Sequence, residues 1–193
     1  MKLNKKYKLV ISCDGGAASG KSTGAKLIAK KYNMNFLSSG LLYRYASFLI
    51  LKFHPKNKYK FLKKAFAKLN LRKLEKINLH TQEISEHTSI IAKMNELRKI
   101  LKSYQVRFAK QKQRCIIEGR DISTKVLPNS DIKFYFRCSL DVASKRRFKE
   151  LKKEGSKITL YEVKKTLKVR NIRDKSRKHS PLLKHRDALE IDT

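Results

Sequence analysis

Acidic residues are scarce in this chain: 16 Asp and Glu stand against 48 Lys and Arg, for a formal net charge of +32 over 193 residues. Cysteine is scarcer still. The three present, Cys13, Cys115 and Cys138, form no CxxC pair, and each lies in or beside an apolar run. That excludes a disulfide framework and a paired-cysteine zinc site, and it leads us to expect buried, reduced thiols in a cytoplasmic protein. His54, His87, His179 and His185 have no metal-ligand spacing among themselves. Long uncharged apolar runs are missing too, and the run that follows Met1-Lys2-Leu3-Asn4-Lys5-Lys6 is too short for the core of a secretion signal, so neither a membrane span nor export is expected. No repeat, low-complexity tract or interdomain linker interrupts the chain, and a single domain over 1–193 is the expectation. At this length, with 40% hydrophobic residues, a core can form without disulfides.

The excess of lysine is also what a nucleic-acid-binding domain would carry. Here the lysines are spread along most of the chain, and no RNA-recognition, zinc-finger or KH-type motif accompanies them. A solvated basic surface follows, with weak polyanion adhesion and no specific nucleic-acid partner.

Periodicity places the elements. Tyr7 to Cys13 is a short apolar run ending in Asp14-Gly15-Gly16, as a buried strand does on entering a glycine turn. Ala25, Ile28, Ala29 and Tyr32 recur at helical spacing behind it. Asn35-Phe36-Leu37 reads as a second strand, and Ser38-Ser39-Gly40 offers capping hydroxyls to a helix from Leu41 to Leu51. The stretch from Lys52 to Asn78, rich in Lys, Phe and Leu, supports one or two short basic helices. Thr81 with Glu83 and Ile84 opens another helix, and Met94, Leu97, Leu101, Tyr104 and Phe108 mark the apolar stripe of the next. Arg114 to Glu118 and Ile132 to Phe136 read as strands. Ser139 to Lys153 and Thr159 to Arg173 read as helices hinged at Glu154-Gly155-Ser156, and Ala188 to Asp192 as a terminal strand. Alternation of this kind predicts an α/β fold with a mostly parallel sheet covered by helices on both faces, ligands binding at the carboxyl ends of its strands.

Gly15-Gly16-Ala17-Ala18-Ser19-Gly20-Lys21-Ser22 fits GxxxxGK[ST] in full and falls between a predicted strand and a predicted helix. Glycines reach backbone angles closed to other residues, so successive N–H groups can converge on phosphate oxygens at the positive end of a helix. Lys21 is expected to reach the β- and γ-phosphates of ATP and Ser22 to ligate Mg²⁺. Gly15, Gly16, Ala17, Ala18, Ser19, Gly20, Lys21 and Ser22 form the candidate nucleotide-binding set. Alone, the loop leaves GTPases, ATPases and small-molecule kinases open.

Three clusters downstream narrow the choice. Ser38-Ser39-Gly40-Leu41-Leu42-Tyr43-Arg44 begins a helix, Glu118-Gly119-Arg120-Asp121-Ile122 ends a strand, and Arg170, Arg173, Asp174 and Arg177 fall on a late helix. At 100° per residue Arg170, Asp174 and Arg177 share a face. The planar fork of arginine grips phosphate oxygens at two points.

With these clusters in order, the chain resembles the bacterial cytidylate kinase family over nearly its whole length. Asp14 to Thr23 is similar to that family's DGPxGSGKST, Ser38 to Arg44 to its D[ST]GxxYR, and His80 to Ile84 to its RTxEV. Leu97-Arg98 with Gln105 resembles VRxxLxxxQR, Gly119 to Ile122 resembles GRDIGT, and Arg173 to Arg177 with Ser180-Pro181-Leu182 resembles RDxxRxxxPL. Asp187 to Thr193 is similar to DALxxDT. The resemblance implies a P-loop NTPase-type core at 1–51 and 94–193, a reduced NMP-binding insert at about 52–93 and a helical lid at about 139–177. It implies transfer of the γ-phosphoryl of ATP to CMP or dCMP by a monomer, with Lys21, Arg120 and Arg177 catalytic. Arg44, Arg120 and Arg177 would hold the acceptor phosphate, Ser39 would bind the substrate, and Thr23 would join the nucleotide-binding loop. Ser89, Arg98 and Asp121 would read the cytosine edge, Arg170 with Asp174 would hold the sugar, and Arg146 or Arg147 would lie against ATP.

The sequence departs from the family pattern in places. Ser38 stands for Asp, Gly16 for the loop Pro, Ser123 for Gly, His80 for Arg and Asn171 for Asp. The segment between Lys52 and Leu79 is shortened, and the family's final helix has no counterpart after Thr193. Two other readings stay open at this level: a different small P-loop kinase, of adenylate, shikimate or nucleoside type, and a basic nucleic-acid-binding module with a degenerate nucleotide site.

Overall fold

The computed structural model describes residues 7–193, with the side chain of Glu75 left aside; the first six residues, on which the expectation about export rests, lie outside the described residues. The order of elements is β1 (Leu9–Gly15), α1 (Lys21–Lys31), β2 (Asn35–Ser38), α2 (Ser39–Phe53), α3 (Lys58–Ala67), a 3₁₀ turn (Leu71–Lys76), α4 (Gln82–Ile91), α5 (Asn95–Gln111), β3 (Arg114–Gly119), a π-helical turn (Ile122–Val126), β4 (Ile132–Arg137), α6 (Leu140–Lys153), α7 (Leu160–Lys175) and β5 (Leu189–Asp192). The predicted segments therefore match element by element. The Lys52 to Asn78 stretch resolves into one α-helix and a 3₁₀ turn, each opened by an asparagine: Asn57 accepts from the Lys60 N–H and Asn70 from the Arg72 N–H.

The five strands lie in the order β2-β3-β1-β4-β5, and the pairs β1–β3, β1–β4 and β4–β5 are parallel. Along β1 and β3 both alternate sets of side chains are buried, which a strand shows only when both faces of its sheet are covered. Ala25 and Ala29 of α1 pack with Ile11, Cys13, Ile116 and Phe136 of the sheet. Alanine on that helix face lets it approach closely. At Gly24 a Cβ would come within 2.7 Å of the Phe136 ring.

The chain divides into two compact units, residues 1–37 with 113–193 and residues 38–112. The second unit begins earlier and ends later than the 52–93 insert expected from the sequence, because α2 packs on α4 and α3 on α5. Its own core includes Leu42, Leu62 and Leu101, all fully buried. The Phe66 ring meets Tyr45 and Tyr104 edge-on, with centroids 5.8 and 5.9 Å away. In the first unit α6 and α7 form a hairpin whose apolar cluster of Ala143, Val163 and Leu167 takes in Ala17 and Ala18 from the loop after β1. Thr159 and Glu162 close a reciprocal capping box at the start of α7, so two orphan N–H groups are satisfied there.

Cys13 and Cys115 are buried as expected; Cys138 is only half-buried, because it follows the end of β4. Among the described residues no helix is long and apolar enough to cross a membrane.

Candidate active site

The sharp turn from β1 into α1 is what the glycines serve. Gly15 pairs with Phe136 of β4, and a Cβ on it would sit 2.4 Å from the Phe136 carbonyl oxygen. Gly20, the N-cap of α1, adopts φ +77°, a left-handed angle that costs glycine nothing. Ala18 is left-handed as well, at φ +54°. Alternation of this kind turns successive N–H groups into one concavity, an anion nest at the positive end of α1.

Lys21 opens α1 and points back over the loop. Its Nζ donates to the Gly16 carbonyl at 3.0 Å and stands 3.9 Å from Glu118 Oε2 at the end of β3. Burial, reinforced by the charge of Arg120, pushes its pKa down to about 7. A buried ammonium whose desolvation is offset incompletely by the charges of Glu118 and, more weakly, Asp14 is poised for an anionic partner.

Arg120 follows β3 directly. Its Nη1 donates to the Gly15 carbonyl at 2.6 Å, and its Nε lies 3.2 Å from Asp174 Oδ2. Arg177 donates to the other oxygen of the same carboxylate. The predicted helix face is corrected in one respect: α7 ends at Lys175, so Arg177 lies beyond it, and an i,i+3 contact across the helix end brings it to Asp174. The backbone then folds back, the Leu182 N–H donating to the Asp174 carbonyl at 2.7 Å. Asp174 thus bridges two guanidiniums, a role that the sugar assignment did not foresee. Arg170 stands close enough to Lys21 for its charge to help depress that pKa.

Of the two lid arginines weighed from the sequence, Arg146 is the one at the loop. Its Nη1 donates to Thr193 Oγ1 at 3.0 Å, and Thr193 Oγ1 donates to the Ser19 carbonyl at 3.1 Å. Arg147 instead pairs with Glu150 one turn along at 3.0 Å. The first unit therefore gathers Gly15 to Thr23, Arg120, Asp121, Arg146, Arg170, Asp174 and Arg177.

In the second unit Ser38, not Ser39, caps α2, accepting from the Leu41 N–H at 3.3 Å; Ser39 is the first helical residue and is buried. Arg44 donates to His80 Nδ1 at 2.7 Å, which fixes that nitrogen as the acceptor, since arginine can only donate. Arg98 is buried, donates to the Ala92 carbonyl at 3.0 Å and lies over the Tyr43 ring at 5.5 Å. Ser89 Oγ donates to the Glu86 carbonyl on α4 at 2.8 Å. A broad concavity of about 470 Å³ over the exposed face of α5, from Lys99 to Lys110, contains none of the predicted residues.

Sequence reasoning missed three supports. Asp14, fully buried, accepts from the Ile122 N–H at 2.7 Å, the Ser123 N–H at 2.7 Å and the Ser123 hydroxyl at 2.5 Å. Burial raises its pKa to about 6, against the pull of those donors. A carboxylate ending an apolar strand was the available signal. Asn171 Oδ1 accepts from the Ala17 N–H at 3.4 Å. Thr193 is the third, and only the fold brings it beside Ser19.

Comparison with known proteins bears on the family of the chain. The profile described as cytidylate kinase matches residues 11–193. Among curated proteins, the cytidylate kinase of Bartonella tribocorum is 37% identical over 189 residues, covering 95% of this chain and 86% of that one. The cytidylate kinase of Rickettsia akari is 35% identical over 184 residues, covering 95% and 83%. A solved structure from Chloroflexus aurantiacus superposes with a TM-score of 0.50 at 15% identity, over 97% of this chain and 89% of the other, a likeness that bears on the fold alone.

Proposed function

The chain belongs to the cytidylate kinase family, and from that premise we propose how its residues carry the family's reaction, the ATP-dependent phosphorylation of CMP or dCMP to the diphosphate. The observation that carries the reading is Asp174 holding Arg120 and Arg177 in the same unit as a complete phosphate loop, with Arg120 bonded to the carbonyl of the loop's first glycine.

The acceptor is already a phosphate anion, so the reaction needs positioning and charge neutralisation more than a base. The backbone N–H groups of the loop, that of Ala17 on release from Asn171 Oδ1, cradle the ATP phosphates, and Lys21 exchanges its bond to the Gly16 carbonyl for the β- and γ-phosphate oxygens. Arg120 and Arg177, aligned beforehand by Asp174, grip the acceptor phosphate. Pre-alignment matters because no reorganisation is then needed as charge shifts in the transition state. Arg146 lies against ATP; Arg170 and Asp174 serve the sugar. Arg44 also serves the acceptor phosphate, Ser39 binds the substrate, and Ser89, Arg98 and Asp121 read the base. Ser22, half-buried at the first turn of α1, offers a hydroxyl oxygen, the hard donor that Mg²⁺ takes. When bound there, the ion neutralises charge on the β- and γ-phosphates. The helices from 139 to 177 act as a lid that excludes water, whose attack would waste ATP. The protein works as a cytoplasmic monomer without a specific nucleic-acid partner.

Asp121 accepts a hydrogen bond from the exocyclic amine of cytosine, where uracil presents a carbonyl. Two acceptors facing each other without a proton cost about 1–3 kcal/mol, so CMP is preferred to UMP by roughly 10- to 100-fold. A coupled ADP-release assay giving kcat/KM for CMP, dCMP, UMP and AMP tests the assignment: UMP or AMP used as well as CMP would overturn the base roles.

A further inference from the structure

The turn that follows Asp121 is capped from elsewhere in the chain. Ile122–Val126 is a single π-helical turn, and the first N–H groups of any helical turn lack partners within it. Ordinarily the side chain of the residue just before the turn accepts from them, and aspartate is among the best residues at this task. Asp121 occupies that position, yet its side chain makes no capping bond to the turn. The cap is Asp14, more than a hundred residues earlier, whose two oxygens take the Ile122 and Ser123 N–H groups and the Ser123 hydroxyl at 2.5–2.7 Å. Asp14 is held by its own strand, since it pairs with Gly119 in the parallel register of β1 and β3. The two carboxylates are also neighbours electrostatically, the charge of Asp121 acting on Asp14.

We propose that Asp14 is a positioning residue for base choice: by capping the 122–126 turn from β1, with the Ser123 hydroxyl as a third donor, it keeps Asp121 from capping its own turn and leaves that carboxylate directed to the acceptor base. This rests on the assignment of Asp121 to the base made above. Without Asp14 the turn still needs an acceptor, and Asp121 is the adjacent one. Once Asp121 bends back to its own turn, its contact with the cytosine amine is lost and CMP and UMP become similar substrates. The same arrangement ties base reading to the phosphate loop, because Asp14 immediately precedes Gly15.

The test measures kcat/KM for CMP and UMP in Asp14→Asn, Asp121→Ala and the double variant, with thermal unfolding run beside them. In Asp14→Asn one acceptor oxygen is kept but an amide N–H is set against the backbone donors, and the CMP-over-UMP ratio is expected to fall by about fivefold or more. In the double variant the ratio is expected to equal that of Asp121→Ala, because the two changes remove one contact. A purely structural role for Asp14 would lower stability and leave the ratio unchanged. If Asp14→Asn does not fold, Ser123→Ala removes only the hydroxyl; it is expected to lower the ratio by about two- to threefold, and Ser123→Thr to restore it. Asp121→Ala losing the preference while Asp14→Asn or Ser123→Ala keeps it would overturn the proposal alone. An Asp121→Ala enzyme that still prefers CMP would overturn the base assignment and the proposal with it. Losses that multiply in the double variant would also refute it.

Discussion

Asp174→Ala removes the carboxylate that Arg120 and Arg177 share. The side chains of these three residues are between 8% and 14% exposed, so water and salt screen the charges poorly, and the small value typical of surface ion pairs does not apply. Deleting one partner of a buried pair typically costs about 3–5 kcal/mol, because the remaining charge stays desolvated. Against a total of about 5–15 kcal/mol for a domain, that is a large share of the stability. For a chain of this length each kcal/mol moves the melting temperature by about 2–4 °C, so a drop of about 6–20 °C is expected. Urea titration should show a lower midpoint with an unchanged slope. Asp174→Asn, which retains an acceptor but no charge, should lose less. The variant also has a signature of its own: two guanidiniums that have lost their carboxylate bind anions, so sulfate or inorganic phosphate should raise the midpoint of Asp174→Ala more than that of the wild type. A loss below about 1 kcal/mol, or equal anion effects on both proteins, would refute the idea that this carboxylate holds the pair together.

Other expectations are more local. Lys21→Ala should lower kcat by roughly 100- to 1,000-fold with the fold intact, the loss typical for one preorganised charge contact; near wild-type turnover would contradict the role of the lysine. With its folded pKa near 7 and its unfolded value near 10.4, Lys21 is destabilising below pH 7 and loses that penalty as pH rises towards 10. The stability gap between the wild type and Lys21→Met should therefore shrink over that window in urea titrations, and ATP binding at pH 8 should take up a proton, seen as a buffer-dependent heat. Asp14, raised to about 6, acts oppositely: its contribution falls as pH climbs from about 4 to 6. Gly15→Ala should be strongly destabilising, with its Cβ 2.4 Å from a backbone oxygen, whereas Gly16→Ala, whose Cβ would meet only Asn171 Oδ1 at 3.5 Å, should melt near the wild type.

Much of this molecule was legible because its signals are local. The glycine loop, the stripe from Leu97 to Phe108 and the serine cap before Leu41 each depend on residues a few positions apart, and periodicity or capping chemistry reveals such features directly. The supports of the site are not local. Asp14 meets Ser123 across a sequence separation of 109, and Thr193 meets Ser19 across 174; only the parallel sheet brings them together. Arg177 was read on a helix because the face calculation assumes that the helix continues, and Lys175 is where it stops. The second unit exceeds the expected insert because packing between helices, which periodicity does not report, assigns α2 and α5 to it.

Ala17 and Ala18 belong at once to the phosphate loop and to the apolar cluster of the α6–α7 hairpin. Their methyl groups are fixed to the backbone whose N–H groups form the nest, so a displacement of the hairpin is felt there as a rotation of those N–H vectors. Close-packed interiors transmit such displacements instead of absorbing them. The hairpin and the nest therefore pack as a single element, with Gly155 at φ +79° in the turn between the two helices. A nucleotide that fixes the loop also fixes the attitude of both helices, and a substitution at Val163 or Leu167, far along the chain from the phosphates, reaches them through two methyl groups.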